Sequence, residues 1–355
     1  MTTFERDFKM MPPLPITEAE ILSGIPDAEN QVYDAGTTYE TGDQAWHGGK
    51  VWESLVDSNT GNTPVEGASW TDLGQVDQGA SEYASGTTYN TGDYAVYQGY
   101  LWSSAIDGNT GNTPSITAEP IRWTRLRRTF RYSPFDDVLV DTAVLSGDIK
   151  YRLQLSDLVT EVGILRADGA TANIKMTDVT DGEVYNTDFE LIDDSNVGDA
   201  WEYCFNPIIY RDTVIADGDT ALPPYAGAEI EITLAGSEVS VAQILLGQAQ
   251  AHGITTIGTG VGIETYDYIE RDDFNRATIV ERPYSDTADF VLKIPRENVQ
   301  YFKREFAKRR ALPTLYYSSG SELLGAVTYG LFRNLRPIHE DSVFAECTLE
   351  TESLG

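Results

Sequence analysis

The residues of this chain with the clearest potential for binding chemistry are aromatic rings and asparagine amides in its first third. Aromatic rings can stack face to face on sugar rings, and amides donate and accept hydrogen bonds. The candidates for such contacts are Trp46, Tyr94, Tyr97, Tyr100, Asn62 and Asn112, with Asn59 and Asn109 in the same two loops. Two plainer interpretations stay open: the rings cover a small core or pack against a neighbouring chain, and the asparagines form turns.

Catalytic motifs are missing from the sequence. It contains no D-x-x-D-x-D-x-E run, no G-x-S-x-G elbow, no H-E-x-x-H and no Walker loop. A pair of carboxylates could in principle hydrolyse a glycosidic bond, but the chain has 56 acidic residues, so such pairs arise by chance. The acids considered for that pair are Glu161, Asp168, Glu183 and Asp188. We therefore predict a protein that is not an enzyme.

No metal or cofactor is predicted either. The three histidines do not cluster with the two cysteines, which we expect to be free, partly buried thiols. Acidic loops at 178–182, 193–199 and 217–219 lack the spacing of a calcium-binding loop, so turn-forming aspartates are favoured there. The glycine-rich stretch 253–262 is interpreted as a strand or loop, because no phosphate-binding motif surrounds it.

An internal duplication positions the aromatic and amide candidates. Residues 33–64 and 83–114 are identical at 19 of 32 positions, and W-x-x-L follows each copy at Trp70 and Trp123. Each copy reads as short strands with a two-residue hairpin loop, Gly48-Gly49 or Gln98-Gly99. We predict three-stranded modules over 33–76 and 77–127. Their small cores are built from Tyr39, Trp52 and Trp70, and from Tyr89, Trp102 and Trp123.

The order Y-x-x-G-x-x-Y-x-x-G-D, a hairpin with G-x-x-W, a proline and W-x-x-L resembles the chitin-binding type 3 module of the carbohydrate-binding 5/12 group. That resemblance implies a small aromatic-cored unit of the kind attached to chitinases, other secreted hydrolases and phage tail proteins. Members that bind chitin are expected to expose rings near the loop after the second strand. In this chain that loop, 57–62 or 107–112, contains no aromatic residue.

The remaining sequence predicts a mainly β protein with one amphipathic helix. Residues 1–32 form an extended leader, with a short helix starting at the capping box 17–20, and it either docks onto another subunit or folds onto its own C-terminal domain. Residues 128–250 contain seven or eight short alternating segments, typical of a jelly-roll-like β-sandwich. Within it, 200–215 is interpreted as strand, and Ile208-Ile209 as an inner-face segment.

Residues 251–355 are expected to form a β-rich α+β domain around a helix at 295–311. Pro295 suits the first helical position, and Val299, Phe302 and Phe306 share one face. The opposite face and last turn are basic, which suits either solvent or docking onto an acidic surface. The assembly candidates on it are Lys303, Arg304, Lys308, Arg309 and Arg310.

The leader PPLPITEAEILSGIPD, the inserted modules, LPPYAGAEIEITL and the ending RDDFNRATIVERPYSDTADF…SVFAECTLETESL resemble a family of tailed-bacteriophage and prophage virion proteins. The resemblance implies a structural, multi-copy protein of the tail tip or baseplate, assembled in the host cytoplasm and located in the virion. It also implies contacts with other tail or baseplate proteins and a homo-oligomer. Its paired modules would bind host cell-surface polysaccharide or partner tail proteins. Two alternatives remain: a secreted glycan-binding subunit of a hydrolase, and a structural collar or hub with the modules as spacers.

The net charge of the chain excludes further classes of binding partner. The chain has 25 basic and 56 acidic residues, a formal charge of −31, which opposes binding to nucleic acid or to an anionic membrane. No apolar run approaches the length of a membrane span, so no membrane insertion is predicted, and the N-terminus does not read as a signal peptide. Residues 33–126 carry 12 acids against 3 bases, whereas residues 264–355 carry 16 against 12. The C-terminal part is therefore the expected docking half.

Overall fold

A computed structural model describes residues 6–17, 19–25, 33–47, 50–72, 80–136, 139, 143–193, 198–199, 201, 205, 209–271, 277–280, 282, 284–319, 326–339 and 343–354. The protein is mainly β, as predicted. The N-terminal segment and the modules contain β1 (Arg6–Met11), β2 (Ile21–Ser23), β3 (Thr38–Tyr39), β4 (Gln44–His47), β5 (Lys50–Ser54), β6 (Asn59–Thr60), β7 (Trp70–Asp72), β8 (Ser81–Glu82), β9 (Thr88–Tyr89), β10 (Tyr94–Tyr97), β11 (Tyr100–Ser104), β12 (Asn109–Thr110) and β13 (Trp123–Arg128). 

A 3₁₀-helix at Phe130–Phe135 follows the modules. The next strands are β14 (Ala143–Ser146), β15 (Ile149–Gln154), β16 (Glu161–Asp168), β17 (Thr171–Asp178), β18 (Gly182–Glu190), β19 (Ile192–Asp193), β20 (Ile209–Tyr210), β21 (Thr213–Ala216), β22 (Glu229–Ala235) and β23 (Glu238–Gly247), with a 3₁₀ turn at Gly218–Thr220. The C-terminal elements are β24 (Gln250–Thr255), β25 (Gly260–Thr265), β26 (Tyr268–Arg271), β27 (Ala277–Val280), β28 (Tyr284–Pro295), a 3₁₀ turn (Arg296–Asn298), α1 (Val299–Lys308), β29 (Thr314–Ser318), β30 (Val327–His339) and β31 (Phe344–Ser353).

The chain divides into two compact units, one formed by 1–16, 20–23 and 134–355, and the other by 17–19 and 24–133. The second unit contains both modules. Module 1 has a three-stranded sheet, β4-β5-β7, and a short β3-β6 ladder. Module 2 repeats this plan as β10-β11-β13 and β9-β12, and β8 pairs in parallel with β10. The positions of module 1 that correspond to β8, 31–32, lie outside the described residues. The described strands of the two copies therefore match, as the duplication predicts.

Each module is built on the predicted aromatic core. Tyr39, Ala45, Trp52 and Trp70 are buried together in module 1, and their counterparts Tyr89, Ala95, Trp102 and Trp123 in module 2. The hairpin loop Gln98-Gly99 is confirmed: both residues have positive φ, 52° and 69°, as a type I′ turn requires. The corresponding Gly48-Gly49 lies outside the described residues.

The sandwich predicted over 128–250 is a jelly roll. Its sheets have the orders β14-β23-β16-β21 and β18-β17-β22-β15-β2. Strands β14 to β17 alternate between the sheets, β18 stays beside β17, and β21 to β23 alternate again, which gives the eight-stranded double Greek key of this fold. The inner positions are apolar and buried, for example Ile174, Ile232 and Ile244.

The expected strand over 200–215 is wrong in its first part. Trp201 and Phe205 have helical backbone, and their exposed rings lie 5.0 Å apart at the i, i+4 spacing of a helix. Ile208 lies outside the described residues, and β20 is two residues long and pairs only with β19. The aromatic and β-branched composition favoured strand, but an exposed i, i+4 aromatic pair was the competing helical signal.

The C-terminal sheet closes on itself. Its order is β24-β1-β29-β30-β31-β28, and β24 also pairs with β28, so six antiparallel strands form a closed cylinder. The beginning of β28 extends beyond it and pairs with β25. Helix α1 covers the core as predicted, because Val299, Phe302 and Phe306 are buried with Phe8 and Phe290. Pro295 ends β28 and precedes the 3₁₀ turn, so the helix begins four residues later than expected.

The N-terminal segment folds onto its own C-terminal domain, the second of the two alternatives. Strand β1 lies between β24 and β29, and Phe8 and Met10 are fully buried. The segment then bridges Pro13 to Gly247 of the jelly roll, and β2 joins β15. The short helix expected after the capping box is wrong, because residues 21–23 gain more by adding a strand to an open sheet edge. Ile16, Ile21 and Ile25 are buried, whereas Leu22 is exposed.

The jelly roll and the cylinder share an apolar contact. On β16 and β23, Leu165 and Leu245 pack with Met11, Leu315 and Tyr317 of the cylinder wall. A Cβ on Gly163 would lie 3.1 Å from the Leu315 side chain, so the two parts approach each other closely at this position. The two C-terminal parts predicted as separate domains therefore belong to one compact unit.

Candidate binding surfaces

The loop of each module is held by side chains that have counterparts in the other module. The indole N–H of Trp70 donates to the Asn62 carbonyl at 2.8 Å, and that of Trp123 donates to the Asn112 carbonyl at 2.7 Å. The hydroxyls of Thr38 and Thr60 lie 2.8 Å apart, and those of their counterparts 2.7 Å apart. Each loop is thus fastened to the aromatic core beneath it in the same way.

The asparagines in these loops serve the fold. Asn109 is only 1% exposed, and its amide donates to Ser104 Oγ and to the Arg122 carbonyl, both at 3.1 Å. Its Oδ1 accepts from Asn112 Nδ2 at 2.8 Å. Asn59, 2% exposed, makes the same three contacts with Ser54, the Ser69 carbonyl and Asn62. Only Asn62 and Asn112 retain accessible surface, and their amide groups already support the buried asparagine.

Two aspartates hold the other side of the loops. The carboxylate of Asp57 accepts from the Thr41 hydroxyl at 2.7 Å and from its N–H at 3.1 Å, and these bonds lower the pKa of Asp57. In module 2 the N–H and hydroxyl of Thr91 lower the pKa of Asp107 in the same way. Both carboxylates are solvent-exposed, so they remain charged at neutral pH.

The structure does not assemble the predicted aromatic candidates into one platform. Tyr94 lies on the outer face of the module 2 sheet with Val96 and Leu101. Tyr97 and Tyr100 are directly opposite each other on the core face, at the hairpin end. Tyr97 meets Tyr83 edge to face, with ring centroids 5.7 Å apart. The fourth candidate, Trp46, lies on β4, and its side chain is outside the described residues.

The ring of Tyr100 is occupied by cations of its own chain. The guanidinium carbons of Arg125 and Arg128 lie 4.6 Å and 4.1 Å from its centroid. Both arginines belong to β13, an edge strand, where charged side chains oppose unwanted strand pairing. All three tyrosine candidates are half-buried, and two of them already have ring partners. The alternative that these rings cover the module therefore describes the geometry better than a preformed sugar-stacking surface does.

The basic residues of α1 are distributed as predicted, except for one. Lys303, Arg304, Lys308 and Arg310 are exposed, whereas Arg309 is half-buried at the end of the helix. Lys308 is paired with Glu305, with Nζ and Oε1 2.7 Å apart. This hydrogen bond is the main cause that lowers the pKa of Glu305. The surface that remains free for docking therefore centres on Lys303, Arg304 and Arg310.

The acids considered as a hydrolytic pair do not converge. Glu161 and Asp168 stand at opposite ends of the eight-residue strand β16, about 24 Å apart at roughly 3.4 Å per residue. Glu183 and Asp188 lie on β18, in the other sheet. Glu161 is buried, and its carboxylate accepts from the Ala249 N–H at 2.8 Å. Its role is structural.

Sequence reasoning missed a buried polar cluster beside the N-terminal strand. Lys9 Nζ contacts Asp217 and lies 3.9 Å from Glu161, and all three side chains are largely buried. Burial raises the pKa of Tyr317, and the two carboxylates raise it further. No pattern in the sequence links positions 9, 161 and 217, because strand pairing alone brings them together.

A cavity of about 170 Å³ lies beside α1, lined by His252, Asn298, Tyr301 and Phe302 among others. Burial lowers the pKa of His252, so its imidazole is neutral at pH 7. Within the described ranges, no three His, Cys, Asp or Glu side chains converge to hold a metal ion. Asp178 instead closes its own turn by accepting from the Thr180 and Asp181 N–H groups, as predicted for that loop.

Cys347 is a free, buried thiol, as expected, and burial raises its pKa to about 12. Cys204 lies outside the described residues. Among those residues, no helix has the length and apolar character needed to cross a membrane. Comparison with models of known protein families and with curated proteins found no match to this chain.

Proposed function

We propose that the chain is a non-enzymatic structural subunit of a phage tail tip or baseplate, and that its paired modules make contacts outside its own core. The main observation behind the proposal is that the same exposed loop, 57–62 and 107–112, occurs twice and is held by the same hydrogen bonds. Both copies keep the same indole, threonine and asparagine hydrogen bonds under an exposed loop tip. Repeated surfaces raise effective concentration, so weak contacts become useful when several copies assemble.

The body of the protein supports a role in assembly. The N-terminal segment is a strand of the cylinder and then an edge strand of the jelly roll, so it ties both parts into one unit. Such a body can carry two linked modules and still present surfaces of its own to neighbours. The basic face of α1, with Lys303, Arg304 and Arg310, would contact acidic tail proteins.

Of the two ligands proposed for the modules, partner tail proteins are favoured over host polysaccharide. Tyr100 is covered by two guanidinium groups and Tyr97 packs on Tyr83. A ring engaged in this way offers an edge, not a free face, to a sugar. Protein surfaces with acidic side chains can instead pair with the exposed guanidinium group of Arg125 on β13.

The test of location is the composition of purified particles. Phage particles produced from a genome that encodes this chain are purified through a density gradient, and the chain is identified by mass spectrometry and labelled with gold-conjugated antibody. We expect a stoichiometric subunit at the end of the tail. Its absence from intact particles would contradict the structural assignment.

The test of the ligand uses particles that lack residues 33–126. Particles that assemble but fail to adsorb indicate contact with the host surface, and the isolated polysaccharide should then compete with adsorption of the intact particle. Particles that fail to incorporate a neighbouring tail protein indicate the protein contact favoured above. If assembly and adsorption are both normal, the modules are spacers and the binding role is wrong.

A further inference from the structure

Strand β25 forms an exposed edge of the C-terminal sheet. It pairs with β28 from Gly260 opposite Asp289 to Thr265 opposite Tyr284. In the part of the chain that the structure describes, no strand pairs with its other side. All six of its residues are exposed. Such an edge presents unpaired N–H and C=O groups and is a template for another strand.

This edge has little of the usual protection. Its register with β28 is regular, and it contains no lysine, proline or bulge. Val261 and Ile263 project from one face and are 57% and 66% exposed. The other face carries Gly260, Gly262 and a single charge, Glu264. The strand is therefore apolar on one side and nearly free of side chains on the other.

The chain continues from β25 into a second exposed pair of strands. The hairpin β26–β27 places Ile269 directly opposite Ile279, and these side chains are 59% and 73% exposed. Single exposed aliphatic residues are ordinary on protein surfaces. The exposed pair that matters for strand pairing is Val261 and Ile263, because these two side chains project from one face of an open edge.

We propose that β25 pairs with β25 of a second copy of this chain, antiparallel and centred on Gly262. In that register Val261 lies opposite Ile263 of the second copy, and the reverse pair forms by symmetry. Glu264 lies opposite Gly260, so the only charge of the strand never meets a like charge. The pairing joins two sheets into one and places the apolar rows of the two copies side by side, where their side chains contact each other across the strands. It deepens the self-association expected of the proposed structural subunit by naming the surface, but it does not depend on a virion.

The negative charge of the chain predicts how this contact should depend on salt. Each copy carries −31, so the copies repel each other at long range. The screening length falls from about 30 Å at 0.01 M salt to about 8 Å at 0.15 M. Association through an apolar strand edge must therefore strengthen as salt rises. Docking of the basic face of α1 onto an acidic surface would instead weaken as the salt concentration rises.

Sedimentation equilibrium of the purified full-length chain at about 0.02 M and about 0.5 M salt tests the contact. We expect a monomer–dimer equilibrium that is tighter at high salt. Ile263→Lys should weaken dimerisation at least about tenfold. Because the contact is symmetric, the substitution places two lysines, one from each copy, in the apolar row. Val179→Lys, at a 91% exposed turn of the jelly roll, is the matched control and should leave dimerisation unchanged. Circular dichroism confirms that both variants fold.

Cross-linking tests the register. In a Cys204→Ser background, Gly262→Cys places two thiols directly opposite each other, and oxidation should form a dimer. Glu264→Cys is the control, because its two thiols would lie about 13 Å apart along the strand, beyond the reach of about 7 Å for a disulfide. A monomeric wild-type chain at high salt would overturn the proposal, as would a dimer insensitive to Ile263→Lys. Equal cross-linking of the two cysteine variants would overturn the register. None of these results bears on the presence of the chain in particles.

Discussion

Replacing Asn109 by alanine should unfold module 2 while the rest of the protein stays folded. The side chain is buried and joins three parts of the module: Ser104 on β11, the Arg122 carbonyl before β13, and Asn112 in the loop. Alanine removes all three hydrogen bonds and leaves a small cavity. The loop then loses its link to the strands beneath it.

The expected cost follows from these contacts. Each intramolecular hydrogen bond contributes about 0.5–1.5 kcal/mol net, so three of them contribute about 2–4 kcal/mol. A module of this size has a marginal core, and a whole domain is stabilised by only about 5–15 kcal/mol. The substitution therefore removes most of the stability that the module can have. Asn112→Ala is the matched comparison: it removes only one of the three hydrogen bonds and leaves the buried Asn109 Oδ1 without this donor, so we expect a smaller loss of about 1–2 kcal/mol.

Tryptophan fluorescence during urea unfolding is a suitable assay, because five of the six tryptophans lie in the modules. The Asn109→Ala chain should show an early transition from module 2, separate from the main transition followed by far-ultraviolet circular dichroism. Asn59→Ala should do the same for module 1. If the Asn109→Ala and Asn112→Ala chains unfold at the same urea concentration, the buried asparagine does not hold the loop and the reasoning fails.

Three further outcomes follow from the structure. The pKa values of Asp57 and Asp107 are lowered in the folded state, so their contribution is complete above about pH 4 and is lost as pH falls through the lowered values; module unfolding followed by fluorescence should begin there, and less steeply in an Asp107→Asn chain. Phe8→Ala should destabilise the C-terminal unit by about 3–5 kcal/mol in calorimetry, because the ring is fully buried in the cylinder; an unchanged melting temperature would show that β1 is dispensable. In a Cys204→Ser background, Cys347 should resist a thiol reagent at pH 8, since burial raises its pKa to about 12; labelling faster than global unfolding would contradict this.

Local patterns were enough to predict the modules, the jelly roll and helix α1. The 50-residue repeat predicted two modules with the same strands, and its shared aromatic positions predicted their cores. Period-two alternation indicated the sandwich strands, and Val299, Phe302 and Phe306 gave the buried face of the helix. Each of these signals depends on neighbours within one strand, hairpin or helix.

Long-range pairing was beyond such patterns. Strand β1 lies between β24 and β29, more than 200 residues away, and nothing in its own sequence selects them. The same limit applies to β2, where an isolated capping motif predicted a helix but an open sheet edge made a strand. The choice between the two interpretations of the tyrosines was beyond local patterns for a related reason, because the arginines that cover Tyr100 come from a strand more than 20 residues later.

The side chains that look most suited to bind a ligand are thus largely engaged in contacts within the fold. The buried asparagines hold the loops, and Tyr97 and Tyr100 already contact Tyr83 and the arginines of β13. In the part of the chain that the structure describes, β25 exposes backbone groups on its open edge together with aliphatic side chains. Because a chain of charge −31 strongly disfavours chance association, an unprotected apolar edge is tolerable on it until screening or a fixed neighbour brings two copies together. In the proposed pairing, the acidity of the chain and the exposed strand therefore act together: repulsion keeps free copies apart at low salt, and β25 stays available to pair when the charge is screened.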